Sequence, residues 1–263
     1  MIKKILLNLA KYTAITVIWI AIWQLVAVKI NEGLLFPGPL SVFKRIIELS
    51  RSPDLVFYKT ILQSFKRIIT GMVIGVLIGT AGGILTAFSR IAKSFFAPML
   101  AIIKSTPVAS FILLLVLWIN RDKTAMIIAA MMVIPIVWTN IEAGILNTDR
   151  SLIEMARMHG VGRFKMIGKI YLPSIVPYFV ASLRSSLGMS WKAGIAAEVL
   201  LQPTVSIGKM IFGAKLMLET VDLFAWTAVV IILSVIIEKL TVVILNVILK
   251  KYSISPKGGV LLG

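Results

Sequence analysis

Charged side chains inside long apolar runs are the first candidates for chemistry. Lys104, Arg184, Lys192 and Glu198 fall in such runs, where a charge costs about 2.5–3.5 kcal/mol even on lenient insertion scales. Charges kept at that cost line ion or substrate paths, or pair with neighbouring helices. Arg184, Trp191 and Glu198 are spaced by seven and share one helix face, with Ser182, Ser185, Ser186 and Ser190 nearby. That stripe suits either weak contact with an anion in passage or a structural partnership with a carbonyl or carboxylate. Lys192 points about 100° away from Trp191 on an ideal helix. Lys104, Ser105, Thr106 and Pro107 form a second polar break; irregular backbone at membrane depth is stable only against protein or water, which favours lining a path. Glu142, Glu238 and Lys239 lie near the ends of apolar runs, where snorkelling or a structural role is expected.

Composition removes other chemistries. The chain has 263 residues, 59% of them apolar, and no Cys, which excludes a disulfide scaffold and Cys-ligated metal sites. With His159 the only histidine, a multi-histidine metal site is excluded as well, and His159 is expected to be a contact or surface residue. The net charge of +17 does not indicate nucleic acid, because the basic residues lie between apolar runs and not in one solvated stripe. No G-x-x-x-x-G-K-[ST] segment occurs, so the chain does not cradle ATP by a phosphate loop.

The elements that must position these residues are membrane helices. Six apolar stretches are long enough to cross a bilayer, at about 12–28, 68–88, 95–119, 124–146, 174–200 and 223–249. They define an all-α polytopic protein with one domain over residues 1–263, links at 29–67 and 202–222, and a frayed tail from Lys250. The first span lacks a cleavage site and reads as an uncleaved anchor. A small excess of basic residues on one set of segments places both termini in the cytoplasm. In the second span Gly71, Gly75, Gly79 and Gly83 recur every four residues, so one face is bare and a neighbouring backbone can approach. Alanine is expected to be tolerated there better than leucine. Pro98, Pro107 and Pro135 are expected to kink the third and fourth spans.

The polar stretch 147–173 is more than a connector. Ser151 and Glu154 fit a capping box that starts a short helix, and Gly160 or Gly162 ends it. Leu152, Met155 and His159 share one side, and Ile153, Ala156 and Gly160 form a smaller one. A second amphipathic helix carries Phe164, Ile167 and Ile170 on one face, and Leu172 and Pro173 then introduce the fifth span.

Glu154-Met155-Ala156, then Gly160, Ile170 and Leu172-Pro173 resemble the "EAA" loop of the membrane subunits of binding-protein-dependent ABC importers, between the fourth and fifth of six spans as in that family. Met155 replaces the second small residue of the pattern. Phe36-Pro-Gly-Pro39, Thr106-Pro107, Trp118, and Leu183-Arg184 through Trp191 to Ala197-Glu198 narrow the resemblance to the nitrate, sulfonate and taurine branch. The resemblance implies the type I (MetI-like) permease fold in a bacterial-type inner membrane. It also implies two copies of this chain, or this chain with a paralogue, on two ATPase subunits that bind ATP and Mg, fed by an extracytoplasmic substrate-binding protein. The chain itself is then no enzyme and carries no cofactor. Its substrate is expected to be a small oxyanion such as a sulfonate, taurine, nitrate or bicarbonate, with a vitamin precursor as the alternative. An ion-coupled carrier would show an inverted repeat, and an intramembrane serine hydrolase would need a histidine in the membrane; neither pattern is present.

Overall fold

The computed structural model describes residues 2–30 and 35–251, so the tail from 252 lies outside the described residues. Among those described there are helices and no strand: α1 (Ile2–Ile30), α2 (Pro39–Ser50), α3 (Val56–Phe88), α4 (Arg90–Ser105), α5 (Val108–Leu115), α6 (Arg121–Leu146), α7 (Arg150–Met158), α8 (Arg163–Met166), α9 (Leu172–Leu201), α10 (Ile207–Leu216) and α11 (Thr220–Lys251). A π-helical turn, Ile167–Tyr171, joins α8 to α9 without a break. Among the described residues five helices are long and apolar enough to cross a membrane, and the count is six only if the bent pair α4 and α5 is one span.

That pair is not the single helix expected over 95–119. It bends by 103° between α4 and α5. Pro107 has no N–H to donate and forces Thr106 into extended backbone, at φ −79° and ψ 131°. The helix runs on through Pro98 and Pro135. The second span also starts earlier than its apolar run, because α3 begins at Val56. Phe57, Thr60, Ser64 and Ile68 continue the buried seam of the glycines backwards at helical spacing, so packing extends the helix beyond the hydrophobic stretch.

α3, α6 and α9 form the centre. The bare face of α3 lies on α6: a Cβ added at Gly75 would stand 2.7 Å from both Ala130 O and Val133 Cβ, and one at Gly83 would stand 2.6 Å from Trp138 O. Even a methyl group therefore requires the backbones to separate, so alanine carries a steric cost there. Lipid tails are as apolar as leucine, so burial alone does not drive this contact; close packing and hydrogen bonds do. Trp138 shows both, lying against Gly82 and donating from Nε1 to Thr86 Oγ1 at 3.0 Å.

The expected links hold structure of their own. Gly38-Pro39 starts α2, whose Val42 is buried and whose Ile46 and Leu49 pack against the core. Arg45 ties α2 to α11 through Asp222, with Nη2 3.0 Å from Oδ2. Asp222, and then Glu48, hold the guanidinium pKa above its ordinary value. The Phe36-Pro-Gly-Pro39 segment is a packing device: Trp23 Nε1 donates to Pro37 O at 3.1 Å, and Phe36 meets Phe224 edge to face at 5.5 Å.

Candidate functional site

α7 protrudes beyond α6 and carries the candidate docking residues. Its start is set by Asp149, not by Ser151. The Asp149 carboxylate accepts from Ser151 N at 2.9 Å and from Ser151 Oγ at 2.8 Å. The expected capping box is thus corrected: Ser151 is the second residue of the helix and donates, and Glu154 is exposed and not bonded to the cap. An ionised carboxylate one residue before the helix outcompetes a hydroxyl for the same amides. Ser151 in turn holds the Asp149 pKa below the usual carboxylate range, its hydroxyl first and its amide second.

The end of α7 is as expected, at Gly160. With φ at +65°, Gly160 lets Val161 N reach Ala156 O at 2.9 Å while Gly160 N reaches Arg157 O at 3.0 Å, the paired bonds that close a helix through a left-handed residue. His159 Nδ1 donates to Met155 O at 2.9 Å, so the lone histidine stiffens the last turn. Leu152, Met155 and Met158 are exposed, Met158 to 87%. Ala156, expected on the docking face, is buried within this chain. Phe164 is 90% exposed and Ile167 is also outward, whereas Ile170 is half-buried and accepts from Ser174 Oγ at 2.9 Å. Leu172 and Pro173 start α9 directly after the π turn.

The expected Arg184–Trp191–Glu198 stripe does not face a conduit within this chain. Trp191 is buried and donates from Nε1 to Val230 O at 3.3 Å. Glu198 is fully buried, accepting from Ser64 Oγ at 2.6 Å and Arg67 Nη1 at 2.5 Å. Arg184 is half-buried. Lys192 is exposed, on the face of α9 that also carries Ala181, Ser185, Gly188 and Ala196. Lys104 is exposed too, but Ser105 and Thr106 turn their hydroxyls back to Ile102 O at 3.3 and 2.8 Å.

Glu198 belongs to a clasp that the sequence did not reveal. Arg67 Nε donates to Asp122 O at 2.9 Å and Nη2 to Asp122 Oδ1 at 3.2 Å, while Thr204 caps the other carboxylate oxygen at 3.2 Å. Ile207 N meets Ser64 Oγ at 2.9 Å, and Gly208 sits so close that a Cβ would strike the Glu198 backbone. α3, α6, α9 and α10 are tied together at the end opposite α7. The available signal was Ser64 and Arg67 on the seam of α3, hidden because the helix was expected to begin at 68. Near the α7 end Glu142 is likewise internal, pairing with Lys93 Nζ at 2.7 Å and Thr86 Oγ1 at 2.9 Å; Glu238 and Lys239 are exposed.

Among the described residues the geometry is that of a polytopic helical core with a short capped helix, α7, between two of its spans, exposing Leu152, Met155 and Met158. The chain belongs to the family described as the binding-protein-dependent transport system inner membrane component, matched over residues 71–252. It is a permease subunit of an ABC importer and not itself an enzyme, the ATPase being a separate subunit. It is similar to SsuC of Bacillus subtilis, named for aliphatic sulfonates transport, with 29% identity over 84% of this chain and 79% of that one. TauC of Escherichia coli, named as a taurine transport system permease protein, is 23% identical over 90% of this chain and 86% of its own. CmpB of Synechococcus elongatus, a bicarbonate transport system permease protein, is 28% identical over 74% and 73%. Among solved structures, the MetNI methionine ABC transporter matches 74% of this chain and 98% of its own at TM-score 0.62 and 14% identity. A chain of the bacterial alginate ABC transporter matches 94% and 96% at TM-score 0.55 and 17% identity. Both show a shared fold.

Proposed function

We propose that this chain forms half of the membrane pathway for a small oxyanion, with two permease copies on two ATPase subunits that bind ATP and Mg. The α7 end and both termini lie in the cytoplasm, and the Arg67 clasp faces the substrate-binding protein. The observation that carries the coupling role is α7 itself: capped by Asp149 at its start and closed at Gly160, exposing Leu152, Met155 and Met158, and separated by only a four-residue turn from the helical run that α8 and the π turn carry into α9. The oxyanion reading rests on Lys104, Arg184 and Lys192 at membrane depth and on relatives named for sulfonate, taurine and bicarbonate transport. These cations hold the anion weakly, because release must follow binding, so selectivity lies chiefly in the binding protein.

Single cysteines introduced into this Cys-free chain test the orientation. An impermeant thiol reagent applied to intact cells should label Arg121→Cys and Pro203→Cys and spare His159→Cys; the reverse pattern refutes it. Arg184→Gln should lower uptake while the complex with the ATPase still purifies. Loss of assembly would make Arg184 a structural partner instead, and a cationic cargo in the binding protein would refute the oxyanion reading.

A further inference from the structure

α4 is amphipathic in a way that crossing a membrane does not require. Lys93, Ala97, Ala101 and Lys104 share one stripe, while Ile91, Phe95 and Ile102 are exposed on the other side. Because the middle of the lysine stripe is alanine, it does not fill the space against α3 and α6. A cavity of about 270 Å³ remains, open to the outside, with Trp138 and Glu142 on its floor. One water needs only roughly 10–15 Å³ by the same kind of measure, so the space accepts a small molecule or a headgroup.

The two lysines are not equivalent. Lys93 is engaged with Glu142, whose other oxygen takes the Thr86 hydroxyl, and Thr86 accepts the Trp138 indole N–H. Lys104 lies eleven residues further along α4, about 16 Å up the helix axis, and has no carboxylate partner among the described residues. The wall therefore carries two cations and one carboxylate, a net formal charge of +1. An ammonium at membrane depth needs water or a counter-charge. Glu142 repels a second negative charge, which sets the valence of what fits.

We propose that the cavity between α4 and the α3–α6 pair binds one singly charged anionic head, a phosphodiester, sulfonate or carboxylate, on Lys104. The head comes either from a lipid of the surrounding leaflet or from a free solute. The solute arm rests on the oxyanion reading above, and the lipid arm does not.

The test uses the full chain purified with its ATPase and two probes: phosphatidylglycerol, read by native mass spectrometry against phosphatidylcholine, and methanesulfonate, read by saturation-transfer NMR. One probe should bind the wild type. Lys104→Gln should lower that binding about tenfold and Lys104→Arg should restore it. Ala101→Phe, which keeps the charge but fills the space, should lower it as Lys104→Gln does. Retained phosphatidylglycerol that responds in this way assigns the lipid source, and a responsive methanesulfonate signal assigns the solute. Binding of neither probe to the wild type, or binding indifferent to both Lys104→Gln and Ala101→Phe, overturns the proposal. The readout is binding and not uptake, so either failure leaves the permease function standing.

Discussion

Replacing Arg67 with Met strands a carboxylate that water does not reach. Glu198 is fully buried, and without the guanidinium it keeps only the Ser64 hydroxyl at 2.6 Å and the Gly208 amide at 3.4 Å. Removing one member of a buried pair costs about 3–5 kcal/mol, which is about two to three and a half orders of magnitude in the folding equilibrium at about 1.4 kcal/mol per decade. Asp122 suffers less, since its side chain is 43% exposed and Thr204 still meets both oxygens. The double variant Arg67→Met/Glu198→Met should therefore recover most of the loss, because an apolar pair of similar volume avoids desolvating two ions. Reversible unfolding in mixed micelles measures all three proteins. The clasp is refuted if Arg67→Met stays within about 1 kcal/mol of wild type, or if the double variant is no more stable than the single one.

Three other outcomes follow from the geometry. Gly75→Ala and Gly79→Ala should each cost about 1–3 kcal/mol by overpacking, since the added Cβ falls 2.7 Å from Ala130 O and 2.8 Å from Ile134 O respectively; unfolding at wild-type denaturant concentration in both would remove the close approach. Gly160→Val should weaken retention of the ATPase through the left-handed backbone penalty of about 1–2 kcal/mol, with no steric part because the space around Gly160 is open. Gly160→Asn should be milder, and equal retention in both variants would contradict this. Asp149 titrates below its unfolded-state value, so its ionised form stabilises the start of α7 above about pH 4 and that contribution disappears as pH falls through the lower folded value. Amide exchange over α7, corrected for intrinsic rates, should separate wild type from Asp149→Asn at neutral pH and not under acid; a gap constant with pH would be the contrary result.

Hydrophobic run length located the spans and the cap glycine located the end of α7, because both signals are local. The start of α3 was hidden, since Phe57 packs on Trp226 of α11 and Ser64 bonds to Glu198 of α9 and Ile207 of α10, and mean hydropathy does not register such a mixed seam. Glu198 misled for a related reason. Its sevenfold spacing from Trp191 and Arg184 identifies a face but not what the face meets, and here it meets Arg67 across 131 residues of sequence. Ser151 satisfied a motif while Asp149, a better acceptor two residues earlier, took the cap. Ala156 looked like room for a partner, but its side chain is buried within this chain.

The helical run from Arg163 to Leu201 has a mechanical consequence. It spans 39 residues, a rod on the order of 55 Å at about 1.5 Å per residue. A 10° swing imposed at its α8 end would sweep the far tip through about 10 Å if the rod were free to pivot. It is not free, because Glu198 near that tip is bolted to Arg67 of α3 and, through it, to α6. A torque applied at the base would therefore be shared by α9, α3 and α6 at once.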